Sequence, residues 1–545
     1  MDVTTPGAAP DPQAVTSRDA RTGQVVELPV RETLPAALDE VAHRAAAAAD
    51  ELAAWPRARR AELLDALADA LDAERAALVA EADRETALGP ARLGGELTRT
   101  AYQLRTFARV VRDGGYLEAT IDHAGDTPMG PRPDLRRMLV PLGPVAVYAA
   151  SNFPFAFSVL GGDTASALAA GNPVVVKAHP GHPATSERVA RLAERAVAAA
   201  GAPEGTFALL HGFDAGSALV SHPAIRAAGF TGSLAGGRAL ADAAASRPAP
   251  IPFYGELSSI NPVLVTPAGA RENADSFGTG LAASVLQGGG QFCTKPGLVL
   301  VPAGDAGDSL VDALGRAVQR APALPALTAG MARAYADGVV ARSADAAVVA
   351  RGRDDGGHTG SDVAADGGAP HSQDVGTTRP ALLEVAARSV TPRLVEECFG
   401  PLAVVVRYRD EAEAVAVVER VEGSLTGSIL TGGASDRDLP AARAALTRRV
   451  GRVLYDGFPT GVAVTWAQHH GGPWPSTNTL HTSVGATAIR RFLRPVAWQQ
   501  APQHALPPEL RDGPAVVPVR VDGELVLPDG STSPAAPGAP LGSPA

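Results

Sequence analysis

The 545-residue chain contains only two cysteines, Cys293 and Cys398. Two thiols cannot form a disulfide framework, and their scarcity fits a reducing compartment. Positive charge is not in excess either: 48 Lys plus Arg face 58 Asp plus Glu, a net charge of -10. This argues against a broad basic field for nucleic acid or an anionic membrane and makes a small molecule the expected partner. The N-terminal MDVTTPGAAPDPQAV has neither a basic stretch nor an apolar core, so no signal peptide is expected and the cytoplasm is the default location. From Met138 to Gly162 there is no charged residue, but Pro141, Pro144, Asn152 and Pro154 interrupt the run. It reads as a buried strand, a turn and a helix start, not a membrane span. No internal repeat is visible.

What is present is enough apolar material, 46% of residues, for two or three packed domains. After a polar leader, residues 34–110 are rich in Ala, Leu and Arg at helical spacing, which predicts a helical layer over a sheet. From about 143 the rhythm changes to short apolar runs between helices: PVAVYAAS, NPVVVKA, TFALLHG and AIRAAGFTGS. A second alternating unit follows with NPVLVT, GLVLVP, PALLEV, LAVVVRYRD and SLTGSILTG. Strands separated by helices of this length imply right-handed crossovers and parallel sheets. RGRDDGGHTGSDVAADGGAP reads as a solvated loop or hairpin, and the Pro-, Gly- and Ser-rich last residues as a loose tail.

Several positions could carry chemistry. Cys293, in GGGQFCTKPG, sits where a helix gives way to glycines; such turns suit an exposed nucleophile, although a lone cysteine is more often a small buried hydrophobe. Glu256, in PFYGELSSINPV, ends an apolar strand-like piece. A carboxylate held near apolar groups can have its pKa raised and act as a general base; the alternative is a solvated or capping acid. Asn152, in YAASNFPFAF, follows a strand and precedes a helix, where its amide could donate to an oxyanion or serve an ordinary turn. FTGSLAGGRAL places Gly232, Ser233 and Gly237 between a strand and a helix, a placement that brings helix N-terminal amides near a pyrophosphate. Lys177 closes the strand NPVVVK and could meet a ribose or phosphate, or simply snorkel. The adjacent His469 and His470 invite a metal reading, but no Cys, Asp or Glu at ligand spacing follows, so no metal is expected.

Taken together, these motifs resemble the aldehyde dehydrogenase superfamily from about residue 35 to 505. Asn152 before Phe-Pro, Lys177, the turn Phe230 to Gly237, Glu256, Gly290 to Cys293, and the E-E-x-F-G-P run from Glu396 to Pro401 match the superfamily's motifs in order. The resemblance implies a Rossmann-type parallel-sheet cofactor domain (15–129 and 144–258, the first part including the helical layer), an α/β catalytic domain (259–455) and a small β arm for oligomerisation (130–143 and 483–500), with a loosely ordered tail (511–545). It implies a homodimer or homotetramer, and roles for Glu397 on the nicotinamide ribose and Phe399 near the nicotinamide. It also implies a mechanism: a Cys293 thiolate attacks an aldehyde, Asn152 and the Cys293 N–H hold the oxyanion, hydride leaves to the nicotinamide, and Glu256 activates water to hydrolyse the thioester.

Within the superfamily, NAD-preferring enzymes commonly carry an acid three positions after the strand-end lysine; here that residue is Pro180. The missing acid, with Lys177 and His179 near a 2′-phosphate, favours NADP, with NAD possible. KAHPGHPATSE, RPAPIPFYGELSSINPV and DGFPTGVAVTWAQHHGGPWPSTN resemble a narrower branch that converts 2,5-dioxopentanoate to 2-oxoglutarate; the alternative within that branch is a fatty or other aldehyde. Leu160 stands where succinate-semialdehyde enzymes place a carboxylate-binding arginine, so the carboxylate of such a substrate must find another cationic or hydrogen-bonding partner, which the sequence does not identify. A different class, a cysteine acyl hydrolase or transferase without redox chemistry, would need a histidine partner for Cys293 and no cofactor turn.

Overall fold

Val145–Tyr148 is short, uncharged and β-branched at alternate positions, and it forms the centre of a five-stranded parallel sheet. The computed structural model describes residues 13–353 and 376–533. The sheet's order is Phe253–Glu256, Ala227–Thr231, Val145–Tyr148, Val174–Lys177, Phe207–Leu210. Side chains alternate across it, as strand geometry demands. Val145, Val147, Val174 and Val176 pack with Leu64, Leu104 and Phe107 of the helical layer, whereas Ala146, Tyr148 and Val175 pack with Leu38, Leu210, Leu219 and Phe253 on the other face. Both faces are therefore buried, which explains near-continuous apolar runs in place of alternating ones. Of the expected helical layer, Arg57–Ala73, Arg75–Thr86 and Pro90–Asp113 cover the first face, whereas Pro35–Ala54 packs through Leu38 and Ala45 on the other.

The chain moves outward from Val145–Tyr148 through Val174–Lys177 to Phe207–Leu210, then returns to the opposite side at Ala227–Thr231. That reversal opens a crevice at the carboxyl ends of Val145–Tyr148 and Ala227–Thr231, where doubly wound sheets bind ligands. Asn152 and the turn Gly232–Ser233 follow these two strands.

A seven-stranded sheet follows, in the order Ala347–Arg351, Ala381–Ala386, Leu402–Tyr408, Leu298–Pro302, Val263–Val265, Ser424–Leu430, Val450–Tyr455; only the first strand is antiparallel to its neighbour. Leu298, Leu300, Val404 and Val406 face one core and Val299, Val301, Ala403 and Val405 the other. The third sheet runs Leu493–Gln499, Leu135–Pro141, Ala119–Asp122, Val519–Val521, Glu524–Val526, Thr532–Ser533.

The uncharged stretch from Met138 is a strand, a turn, a buried strand and, after loops, the helix Gly162–Ala170, as read from its prolines. No helix among the described residues is long and apolar enough to cross a membrane. Two terminal regions differ from expectation. The polar leader contains an antiparallel hairpin, Ala14–Arg18 with Val25–Arg31, whose turn is held by Asp19 Oδ1 accepting from the Arg21 and Thr22 amides. The tail expected to be loose from 511 carries three strands through Thr532–Ser533, and Val519–Val521 pairs in parallel with Ala119–Asp122. Most of the Gly- and Asp-rich patch, 354–375, and the segments 1–12 and 534–545 lie outside the described residues.

Candidate active site

The helix Pro267–Leu286 ends in Gln287–Gly290, where Gly288, Gly289 and Gly290 adopt positive φ of 58°, 67° and 67°. A side chain at Gly290 would lie 2.3 Å from the Gly400 carbonyl carbon, so only glycine lets this loop pass against the Glu397–Gly400 loop. Gln291 continues the clamp: its Oε1 accepts from the Leu327 amide at 2.9 Å. The chain then delivers Cys293, half-buried. Asn261 fixes it from below, its Nδ2 donating to the Cys293 and Lys295 carbonyls at 2.8 and 3.0 Å. The Asn261 Oδ1 in turn accepts from Ser259 Oγ and Thr426 Oγ1.

Glu256 ends its strand at the same place and is buried. Its Oε1 lies 3.0 Å from His470 Nε2, and its Oε2 accepts from Ser483 Oγ at 2.7 Å. The same His470 Nε2 is 3.7 Å from Cys293 Sγ. His470 is presented by a segment that lies against the Glu256 strand through the Glu256–Thr477 bridge and the Leu257 amide donating to the Ser476 carbonyl. Its own amide donates to Thr482 Oγ1. Cys293, Glu256 and His470, far apart in the chain, thus place reactive atoms within 4.8 Å of one another.

The electrostatics differ from those expected. Burial acts to raise the Glu256 carboxyl, but the charge and hydrogen bond of His470, then the Ser483 and Cys293 hydrogen bonds, outweigh it and hold the group down at about 2. The expectation of a raised carboxyl fails because the apolar wall is broken by three polar neighbours. Glu256 is consequently ionised throughout the neutral range. Cys293 goes the other way: burial, then the Glu256 charge, push the thiol well above its usual value. At neutral pH Cys293 therefore rests as a thiol.

Asn152 is buried beside this loop, its Nδ2 donating to the Gln291 carbonyl at 3.0 Å. Its own carbonyl accepts from Arg92 Nη2 at 2.6 Å. Phe153, Phe157 and Phe292 form an aromatic wall next to it, with ring centroids 5.3 Å (Phe153–Phe157) and 5.2 Å (Phe153–Phe292) apart. The Arg92 guanidinium lies 4.5 Å from the Phe292 ring centroid.

The turn expected to bind a dinucleotide is preorganised. Ser233 caps the helix Leu234–Ala245, its Oγ accepting from the Gly236 amide at 3.2 Å. A Cβ at Gly237 would lie 2.1 Å from Leu257 Cδ2, so glycine there allows the helix to approach the strand end. The Gly232 amide donates to the Glu256 carbonyl, which joins this turn to the carboxylate's strand. Lys177 lies half-buried at its strand end; burial lowers its ammonium pKa, opposed by Glu32. His179 does not supply the positive charge expected for a 2′-phosphate. Burial, with repulsion from His182 and Lys177, lowers its pKa well below the usual histidine value, and its Nδ1 accepts from the Gly181 amide. Across the crevice, Glu397 Oε2 accepts from Ser258 Oγ at 2.9 Å, and burial raises its carboxyl. Phe399 lies half-buried two residues on, and Cys398 between them is in the core with Tyr335 and Leu394.

Sequence reasoning underrated His470 and missed Asn261 and Lys295. Lys295 Nζ is buried and donates to the Cys398 and Leu402 carbonyls at 3.2 and 2.8 Å, tying the nucleophile's loop to the Glu397 loop. A signal for it was available. The chain has just two lysines, Lys177 and Lys295, among its many arginines, and a compact ammonium with rotatable donors is retained where a planar guanidinium does not fit.

The pattern of the aldehyde dehydrogenase family matches residues 10–494. The chain is 46% identical over 518 residues to alpha-ketoglutaric semialdehyde dehydrogenase 2 of Azospirillum brasilense, covering 93% of this chain and 95% of that one. It is 42% identical over 490 residues to the alpha-ketoglutaric semialdehyde dehydrogenase of Acinetobacter baylyi, covering 88% and 90%. In fold it is similar to a Thermus 1-pyrroline-5-carboxylate dehydrogenase solved with bound NAD, at a TM-score of 0.73 and 22% identity over 90% of each chain.

Proposed function

The chain belongs to the aldehyde dehydrogenase family, and from that premise we propose that it oxidises 2,5-dioxopentanoate to 2-oxoglutarate with NADP, through a thioester on Cys293. The reading rests on one arrangement, the Cys293 thiol set within reach of His470 and the ionised Glu256 at the mouth of the Rossmann crevice.

The residues fit a dinucleotide. The Ser233-capped helix end and the close approach at Gly237 lie at the crevice where the strand order reverses, Lys177 ends the adjoining strand beside Tyr148, and Glu397 is hydrogen-bonded to Ser258 just past the strand Phe253–Glu256. A nicotinamide held there would supply the acceptor for the aldehyde hydrogen as hydride. The chain's own residues do the remaining work. The Glu256–His470 pair takes the thiol proton as Cys293 Sγ bonds to the aldehyde carbon. The Asn152 amide and the Cys293 N–H stabilise the oxyanion. After oxidation the pair releases the thiol proton to solvent, and Glu256, ionised again, removes a proton from water, whose oxygen bonds to the thioester carbon. The Cys293–carbon bond then breaks, the acid leaves, and the thiolate is reprotonated.

NADP is preferred over NAD because Pro180, exposed after Lys177, puts no carboxylate where the 2′-phosphate would sit. The substrate follows the two relatives named for alpha-ketoglutaric semialdehyde. Leu493–Gln499 lies at the edge of its sheet with outward positions exposed, and we assign it, with Leu135–Pro141, to pairing with a second copy of the chain in a homo-oligomer.

Steady-state kinetics with NAD and NADP, each against 2,5-dioxopentanoate, succinate semialdehyde and a long-chain aldehyde, test the proposal. The highest kcat/KM should be for NADP with 2,5-dioxopentanoate; a higher value for the long-chain aldehyde overturns the substrate, and a higher value for NAD overturns the cofactor. A cysteine hydrolase has His470 in its favour, since it supplies the histidine partner such a reading requires. It leaves the Ser233 turn and Glu397 without a role, and would be supported by ester turnover with no cofactor reduction for any aldehyde.

A further inference from the structure

The helix Pro90–Asp113 presents Arg92, Glu96 and Arg99 toward the aromatic wall of the active site, at the i, i+4, i+7 spacing of one helix face. Glu96 has a structural use: it is buried, and its Oε1 accepts from the Phe155 and Ala156 amides at 2.8 and 2.9 Å. Arg92 likewise holds the Asn152 carbonyl. Arg99 has no such task. Its Nε and Nη2 are buried without a hydrogen-bond partner. Its guanidinium carbon lies 5.2 Å from the Phe157 ring centroid, and that ring is 6.3 Å from the His470 ring. Its charge couples to Glu96, Cys293 and Glu256. A buried guanidinium with unmade hydrogen bonds is costly unless something pairs with it, and an anion in the pocket would complete it.

We propose that Arg99 is the anchor for the substrate's carboxylate, a forked donor on the helix face that holds the far end of a short dicarboxylate semialdehyde while its aldehyde carbon meets Cys293. Leu160 cannot serve, being buried among apolar side chains of the helical layer. Glu96 offsets the Arg99 charge only through space: its Oε1 is taken by backbone amides of the loop it supports, and its Oε2 makes no hydrogen bond to Arg99 or to any other group. A planar fork suits a carboxylate in two parallel hydrogen bonds, and the Phe157 ring lies 5.2 Å from the guanidinium carbon. The assignment rests on the carboxylated-substrate reading above, and its test separates the two.

The wild type, R99M and R99K are compared on 2,5-dioxopentanoate and on pentanal, which has the same chain length but neither the carboxylate nor the 2-oxo group, and glutarate, a carboxylate without the ketone, is titrated as an inhibitor of pentanal oxidation. In R99M the ratio of kcat/KM for 2,5-dioxopentanoate to that for pentanal should fall on the order of a hundredfold, carried by KM, as for removal of one member of a buried charge pair. The glutarate inhibition constant should rise by a similar factor, and R99K should lie between. A ratio that survives in both variants, or unchanged glutarate inhibition, overturns the role of Arg99. If R99M does not fold, the R99K ratio and inhibition constant decide alone. A wild type that prefers pentanal overturns the substrate instead, and glutarate inhibition then still decides whether Arg99 binds a carboxylate.

Discussion

His470 Nε2 lies 3.0 Å from Glu256 Oε1, a buried contact between residues 214 positions apart in the chain, and the same nitrogen reaches to 3.7 Å from Cys293 Sγ. The contact couples the protonation of the nucleophile to that of the carboxylate. It also makes the carboxylate's charge measurable through the thiol.

After burial, the Glu256 charge is the largest influence raising the Cys293 thiol. In E256Q that charge is gone, so alkylation of Cys293 by iodoacetamide, followed by mass spectrometry of its peptide, should reach half its limiting rate at a lower pH than in the wild type. An unchanged or raised midpoint would mean that Glu256 does not act on the thiol. The same variant mixed with substrate and cofactor should give a burst of reduced cofactor and then stall, because hydrolysis loses its base while acylation retains His470.

The Glu256 carboxyl is lowered from 4.5 to about 2 in the folded chain. A depressed carboxyl contributes stability that is complete above the unfolded value and is lost as pH falls through the folded one. The Tm difference between the wild type and E256Q should therefore be largest above pH 4.5 and shrink as pH approaches 2. Thermal melts across that window check it, and a difference that stays constant would show that the carboxylate is not held ionised by its neighbours.

Gly290 combines a φ of 67° with a backbone approach to Gly400. G290A should cost about 1–2 kcal/mol for the left-handed conformation alone. The clash with Gly400 adds to this and is relieved only by moving the Cys293 loop. Activity should fall by more than stability does, seen as a large drop in kcat with a modest fall in Tm; a variant with normal kcat would show that the loop does not need this approach.

The parallel strands were legible because strands buried on both faces read as unbroken apolar runs, as in Val174–Lys177, and the motif residues because they sit at strand ends. The Glu256–His470 contact was not, since nothing local to either residue encodes a pairing made by sheet topology. The lowered Glu256 followed from that blindness: strand burial was visible, but Ser483 and His470 were not. The strands after residue 511 were hidden by composition, although a signal was present. Asp522 and Gly523, at φ 48° and 93°, form a two-residue turn between Val519–Val521 and Glu524–Val526, the Asp-Gly hairpin expected when both turn residues are left-handed. Reading the region by its Pro and Gly content obscured the alternation on either side.

Asn261 offers the sharpest separation of support from chemistry. It touches no reacting atom, yet its Nδ2 holds the Cys293 and Lys295 carbonyls and its Oδ1 accepts from Ser259 and Thr426. N261A leaves the Cys293 and Lys295 carbonyls and the Ser259 and Thr426 hydroxyls without this partner and should cost about 4 kcal/mol or more, at roughly one to three per orphaned group. Asn261 itself has a φ of 54°, which asparagine tolerates better than alanine. If the clip sets the nucleophile's position, N261A should lower kcat for 2,5-dioxopentanoate and for pentanal by the same factor, leaving their ratio intact, in contrast to R99M. A change in that ratio would place Asn261 on the substrate instead, and unchanged kcat with only a lower Tm would confine it to holding the fold.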